Sequence, residues 1–202
     1  MQGTGQMRTH MLVVTKDSNK IFAANTSSNT VTAIVKGELP ADYQQVSYDS
    51  LPAWNVTQIP VGGGPEGIAM SPDEKEVWVA GRNDGGLSII DVASKKVIQK
   101  ITVQSPGPSS PAFTPDGKRV IIADNSKGDV LVLDAVTRTE IKRIGNVGHE
   151  PHGVLIAPDG LRAYVAIEGS NNIVVIDLKK LEVTGSIGIG DSPEKMAWAR
   201  RR

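Results

Sequence analysis

Cysteine is absent from this 202-residue chain, which excludes a disulfide framework and a thiolate zinc site and suits cytoplasm and periplasm alike. Neither sign of charge is in excess: 22 Lys and Arg stand against 22 Asp and Glu. The electrostatic footprint of a protein that binds nucleic acid or an anionic membrane is therefore missing. No segment approaches the roughly 20 consecutive apolar residues that carry a helix across a bilayer. The N-terminal stretch has no basic region followed by an apolar core, so the chain as written carries no export address. Helical periodicity is missing too, as are a GxSxG elbow, an HExxH pair and a Walker loop. Nucleophilic and phosphoryl-transfer chemistry thus have no visible carrier, and no catalytic residue is assigned. The length still allows a substantial buried core.

What the chain does have is a repeat. The segments THMLVVTKD, PEGIAMSPD, PSSPAFTPD and PHGVLIAPD end at Asp17, Asp73, Asp116 and Asp159, at spacings of 56, 43 and 43. Pro65, Pro108 and Pro151 stand eight residues before the last three aspartates, and Pro193 opens PEKMAWARR at the same phase. Within each unit, short β-branched runs alternate with turn residues, the pattern of strands joined by hairpins. In the second unit GIAMS reads as strand A, EVWVA as strand B, LSIID as strand C and KVIQKITV as strand D. Pro-Asp-Gly at 115–117 and 158–160 suits a tight turn, since proline presets φ and glycine takes the positive φ. Asp91, Asp134 and Asp177 each lie 18 residues after their turn aspartate and close strand C.

Strands apolar on both faces need cover on both sides, and four-stranded units of this length obtain it by stacking radially as propeller blades. The predicted fold is an all-β propeller forming an open, incomplete ring. It is a single domain over 1–202, with blade 1 at 6–61, blade 2 at 62–104, blade 3 at 105–147, blade 4 at 148–189 and strand A of a fifth blade at 190–199. Blade 1 carries an insertion, 36–53, with Val35 in place of the strand C aspartate. Tyr43 and Tyr48, with Trp54 just beyond, make this either a recognition loop or a tolerated surface excursion, and the latter is preferred.

The units resemble YVTN-family repeats, in which strand B typically reads Tyr-Val-Thr-Asn. The matching positions here read FAAN (Phe22–Asn25), WVAG (Trp78–Gly81), IIAD (Ile121–Asp124) and YVAI (Tyr164–Ile167). Members of that family usually have about seven blades, so the resemblance is to the C-terminal part of a longer, exported protein, periplasmic or extracellular. An open arc exposes two terminal blade faces, which points to self-association or a protein partner through them.

Strand A is innermost in a propeller blade, so the residues following the phase-setting proline, or its equivalent, form an arc at one mouth of the central channel. These are His10, Glu66, Ser109, His152 and Glu194. The arc reads either as a ligand or metal site, or as a hydrated rim that satisfies strand ends. His149 with His152 is a poor metal pair, lying in a loop interrupted by Pro151. GGGPEG (Gly62–Gly67) contains GxGxxG but precedes a strand rather than a helix, so it reads as turn glycines between blades. Arg200, Arg201 and Arg202 read as a solvated tail.

The leading functional expectation is a non-enzymatic binding or scaffold propeller with no cofactor required. One alternative is a lactonase similar to the phosphogluconolactonase propellers, with Arg8, His10, Glu66, His152 and Glu194 as channel-mouth groups. Another is a propeller similar to the haem d1 domain of nitrite reductases, in which a channel histidine would be an axial ligand.

Overall fold

The computed structural model describes residues 4–37 and 54–199. They form four antiparallel four-stranded sheets. Blade 1 holds β1 (Thr9–Val14), β2 (Lys20–Asn25), β3 (Thr30–Lys36) and β4 (Trp54–Pro60). Blade 2 holds β5 (Pro65–Met70), β6 (Glu76–Gly81), β7 (Gly86–Asp91) and β8 (Lys96–Thr102). Blade 3 holds β9 (Pro108–Phe113), β10 (Arg119–Asp124), β11 (Asp129–Asp134) and β12 (Glu140–Ile144). Blade 4 holds β13 (Pro151–Ile156), β14 (Arg162–Ile167), β15 (Asn172–Asp177) and β16 (Glu182–Gly188), with a single 3-10 turn at Glu168–Ser170. Successive inner strands β1, β5, β9 and β13 pack side by side, and the arc is not closed.

Each turn is fixed by a short set of local bonds. At the A–B turns Ser18, Glu74, Gly117 and Gly160 occupy one repeat phase, and all have φ between 59° and 71°. The turn aspartate supports that backbone: Asp116 accepts from the Thr114 hydroxyl at 2.6 Å and from the Lys118 amide at 3.1 Å. Asp17 and Asp73 do the same with Thr15 and Ser71. The aspartates that close strand C hold the C–D turns, Asp134 accepting from the amides of Val136 and Thr137 at 2.9 and 2.7 Å. These donors lower the aspartate pKa values, the Thr114 hydroxyl first for Asp116 and the Thr137 amide first for Asp134.

Three apolar cores lie between successive blades. Phe22, Val31 and Ala33 of blade 1 meet Ile68, Val77 and Ile90 of blade 2. Trp78, Leu87 and Ile89 meet Val120, Ile122 and Leu131, with Trp78 edge-on to Phe113 at 5.5 Å between ring centroids. Ile121, Val130 and Val132 meet Val165, Ile167 and Val174. Such dry, interdigitated faces each remove several large side chains from water, at about 1.5–3 kcal/mol per fully buried one. Two glycines allow inner strands to approach closely: a Cβ at Gly67 would collide with the Ser109 carbonyl of β9, and one at Gly153 with the Glu194 carbonyl.

The last contact shows what the fifth unit does. Residues 193–199 hold the place of the next inner strand against β13, and the Trp198 indole N–H donates to the Ile156 carbonyl at 2.8 Å. They pair in no ladder, because no strand B lies beside them among the described residues. The expected strand A of a fifth blade is thus packed as an inner strand is packed but is not hydrogen-bonded as one. At the other end of the arc Leu12 is 58% exposed, whereas Ile68, its equivalent in blade 2, is 4% exposed against blade 1. Most of the blade 1 insertion, with Tyr43 and Tyr48, lies outside the described residues, as do Arg200, Arg201 and Arg202; Trp54 opens β4.

Candidate functional site

Antiparallel pairing puts the starts of the inner strands beside the ends of the second strands, as in the pairing of Pro65 with Gly81. One end of the arc therefore collects the residues that begin strand A, those that follow strand B and the B–C turns. His10, Glu66, Ser109 and His152 belong to this end, each the second residue of its inner strand.

The structure does not make one cluster of them. Ser109, 1% exposed, turns inward and donates to the Ala123 carbonyl at 3.2 Å. Glu194 is exposed on the unladdered segment and influences His152 only by its charge. Glu66 and His152 do meet: Oε1 of Glu66 lies 3.5 Å from Nε2 of His152. Blade 2 thereby reaches blade 4 across the start of blade 3. At that distance the contact is long for a hydrogen bond, and it becomes an ion pair when His152 is protonated.

Each partner shifts the other. The His152 imidazole holds the Glu66 carboxyl down at about 2, against the opposing effect of burial, with help from the charge of Arg82. Glu66 in turn raises the His152 pKa, again against burial, and the charges of Glu194 and Glu168 act in the same direction. His152 is 6% exposed and its Nδ1 has no hydrogen-bond partner.

Glu66 is also gripped by Arg82, whose Nη1 lies 3.3 and 3.1 Å from the two carboxylate oxygens. The second guanidinium nitrogen of Arg82 reaches Asn125 Oδ1 on blade 3 at 3.4 Å. Arg82 was not among the candidates drawn from the sequence, although its phase was legible: Thr26, Arg82, Asn125 and Glu168 are each the first residue past strand B. Arg8, His10, Thr26, Gly64, Glu66, Arg82 and Asn83 line a cavity of about 200 Å³ between blades 1 and 2.

His149 is exposed, 3.7 Å from Glu150 Oε2, and does not join His152. Among the described residues no group of three or more His, Cys, Asp or Glu is placed to hold a metal. A haem axial ligand does not fit His152, since Nε2 faces Glu66 and Nδ1 is enclosed. The Gly62–Gly64 run serves the turn before β5: the Gly63 amide donates to Asp84 at 2.8 Å and Gly64 has φ 63°. No helix follows it, so the Rossmann reading fails as the sequence indicated.

No family model matches the chain, and no curated protein matches it. Solved structures match it well in shape. Kuenenia stuttgartiensis hydrazine synthase superposes with a TM-score of 0.72 at 24% identity, over 92% of this chain and 51% of that one. A functionally unknown protein from Desulfotomaculum acetoxidans gives 0.77 at 14% identity, over 96% and 60%. The fold is propeller-like. A candidate 6-phosphogluconolactonase from Bacteroides uniformis gives 0.73 at 19% identity, over 96% of this chain and 61% of that chain. The chain thus spans little more than half the length of these structures. Likeness at such identities establishes the architecture and leaves the chemistry to the site.

Proposed function

We propose that the channel mouth is a small-molecule site and that its chemistry is hydrolysis of a lactone or similar cyclic ester, in preference to binding alone. The observation that carries this reading is the Glu66–His152 pair, brought together from two blades, whose carboxylate lines a cavity that also holds His10. With its pKa held near 2, Glu66 stays ionised and serves only as an acceptor, suited to the hydroxyls of a polyhydroxylated ring. His10 is exposed in the same cavity and is the group able to take a proton from an attacking water. Water adds to the acyl carbon, the ring C–O bond breaks, and the proton returns from His10 to the departing alkoxide. The resemblance in fold to a candidate 6-phosphogluconolactonase supports this direction.

The test is hydrolysis of glucono-1,5-lactone by the wild type, His10→Ala and Glu66→Gln, followed by proton release at constant pH. Hydrolysis above the uncatalysed rate, with a loss of about 100-fold or more in His10→Ala, is expected. A wild type no faster than buffer rejects the hydrolytic reading.

The binding-scaffold reading keeps one observation of its own: Ser109 and Glu194 stand apart from the cavity, so the five-residue arc is not a single catalytic cluster. Saturable binding of the lactone without turnover would favour it. Self-association through the terminal blades is proposed on a separate ground, the bare Leu12 and Val14, whose equivalents Ile68 and Met70 pack against a neighbouring blade. A concentration-independent monomer in light scattering rejects it.

A further inference from the structure

The cavity between blades 1 and 2 has a charge that the chain as a whole lacks. The protein carries equal numbers of basic and acidic residues, yet this cavity is lined by two arginines, Arg8 and Arg82, and one carboxylate, Glu66. That carboxylate is already engaged twice, by Arg82 at 3.1 Å and by His152 at 3.5 Å. The guanidinium of Arg8 has no ion-pair or hydrogen-bond partner among the described residues.

We propose that Arg8 and Arg82 form an anion subsite in this cavity, taking an oxyanion group, carboxylate or phosphate, of a small ligand. The inference deepens the reading of the mouth as a small-molecule site and names the chemical class that enters it.

Three observations support it. First, the charges do not cancel. Glu66 can neutralise one of the two guanidinium groups that line the cavity, which leaves one positive charge uncompensated there. A guanidinium presents paired N–H donors whose geometry matches a carboxylate or phosphate edge. Second, Arg82 is held in place before any ligand arrives. Its contacts with both Glu66 oxygens and with Asn125 Oδ1 fix the plane of the guanidinium, so less side-chain freedom is lost on binding. Third, the approach of Arg8 is set by its backbone. Arg8 has φ 52°, at the same repeat phase as Gly64 (φ 63°) and Glu150 (φ 57°). The left-handed conformation recurs at this phase before β1, β5 and β13 though not at Gly107 before β9, and the Arg8 carbonyl accepts from the Thr26 amide at 3.0 Å, tying it to the end of β2. The one junction residue of blades 1 and 2 that carries a side chain is thus a cation at the cavity wall.

The volume agrees with the chemistry. About 200 Å³ accommodates one oxyanion group and part of a ring, and is small for a drug-sized ligand, whose sites run to about 300–1,000 Å³. Asn83, whose amide lies against Gly64, adds a neutral donor and acceptor at the rim.

The experiment is calorimetric titration of inorganic phosphate and of gluconate, at low ionic strength, into the full chain as wild type, Arg8→Ala, Arg8→Lys and Arg82→Ala. Arg8→Ala is the decisive variant because that side chain supports nothing else, and an unchanged melting curve verifies that it folds. The expected result is saturable binding of at least one probe, weakened about tenfold or more by Arg8→Ala, partly restored by Arg8→Lys and reduced by added salt. The better probe distinguishes phosphate from carboxylate. Absence of binding by both probes, or equal binding by wild type and Arg8→Ala, overturns the subsite. Lactone hydrolysis by the same preparations separates the two proposals. Arg8-dependent binding without hydrolysis removes only the hydrolytic reading, and hydrolysis with Arg8-independent binding removes only the anion subsite.

Discussion

Glu66 on β5 and His152 on β13 meet at 3.5 Å although a whole blade separates them in the chain. The contact spans the mouth of the channel, and it makes the inner ends of blades 2, 3 and 4 a connected unit through Arg82 and Asn125.

The pair makes stability depend on pH in two opposite ways. The Glu66 pKa is depressed from 4.5 to about 2, so its contribution is present above 4.5 and is lost as the pH falls toward 2. The His152 pKa is raised from 6.5, so its contribution is complete below 6.5 and is lost as the pH rises through the higher folded value. The stability difference between wild type and Glu66→Gln should therefore be largest between these ordinary values, on the order of 1–2 kcal/mol, intermediate between exposed and fully buried pairs. Urea unfolding across the pH range measures it, and a difference that stays constant with pH contradicts it.

Gly67→Ala should disturb the seam between blades 2 and 3, because the added Cβ meets the Ser109 backbone carbonyl rather than a movable side chain. Overpacking of this kind costs about 1–3 kcal/mol. Chemical denaturation should show a lower midpoint for Gly67→Ala, whereas Gly185→Ala, whose Cβ meets nothing, should not lower it.

The segment at 193–199 should detach without unfolding the rest. Trp198 is 49% exposed, stacks edge-on with Tyr164 at 5.5 Å and bonds the Ile156 carbonyl. Trp198→Ala and Gly153→Ala, the latter by collision with the Glu194 carbonyl, should both speed amide exchange in this segment while blades 1 to 3 keep their protection. Equal loss of protection throughout the chain is the opposing outcome.

Arg143 on β12 lies 3.6 Å from Asp124 and 3.7 Å from Asp129, and pairs with Glu140 at 2.8 Å. Asp124 is fully buried, and its Oδ2 has no other partner. Arg143→Ala should cost about 3 kcal/mol by leaving a buried carboxylate uncompensated, and Arg143→Ala with Asp124→Ala should recover part of that loss. A thermal melt of both variants decides, and additive losses would contradict the coupling.

The architecture was legible in the sequence because burial enforces it. A strand covered on both faces must be apolar on both, so IIAD and DVLVLD announce a central blade as plainly as the spacing does. The aspartates ending strand C were visible as a phase, and the structure supplies their reason in the amides of the C–D turn. The site was legible only in part. Reading the residue after each phase-setting proline placed His10, Glu66 and His152 at one mouth, but identity along a strand does not reveal which side chain turns inward, and Ser109 does. Arg82 was missed because the arc was drawn from strand A alone. The residue after strand B reaches the same mouth by antiparallel pairing, a geometric consequence that the repeat already contained.

The most direct test of a mouth assembled from distant blades is the titration of His152 itself. With only three histidines in the chain, their ring protons can be followed by NMR from acid to alkaline pH in the wild type and in Glu66→Gln. The structure predicts a His152 pKa raised from its ordinary value of 6.5 that falls when Glu66 loses its charge. A His152 titration that is the same in both proteins would show that the two side chains do not meet.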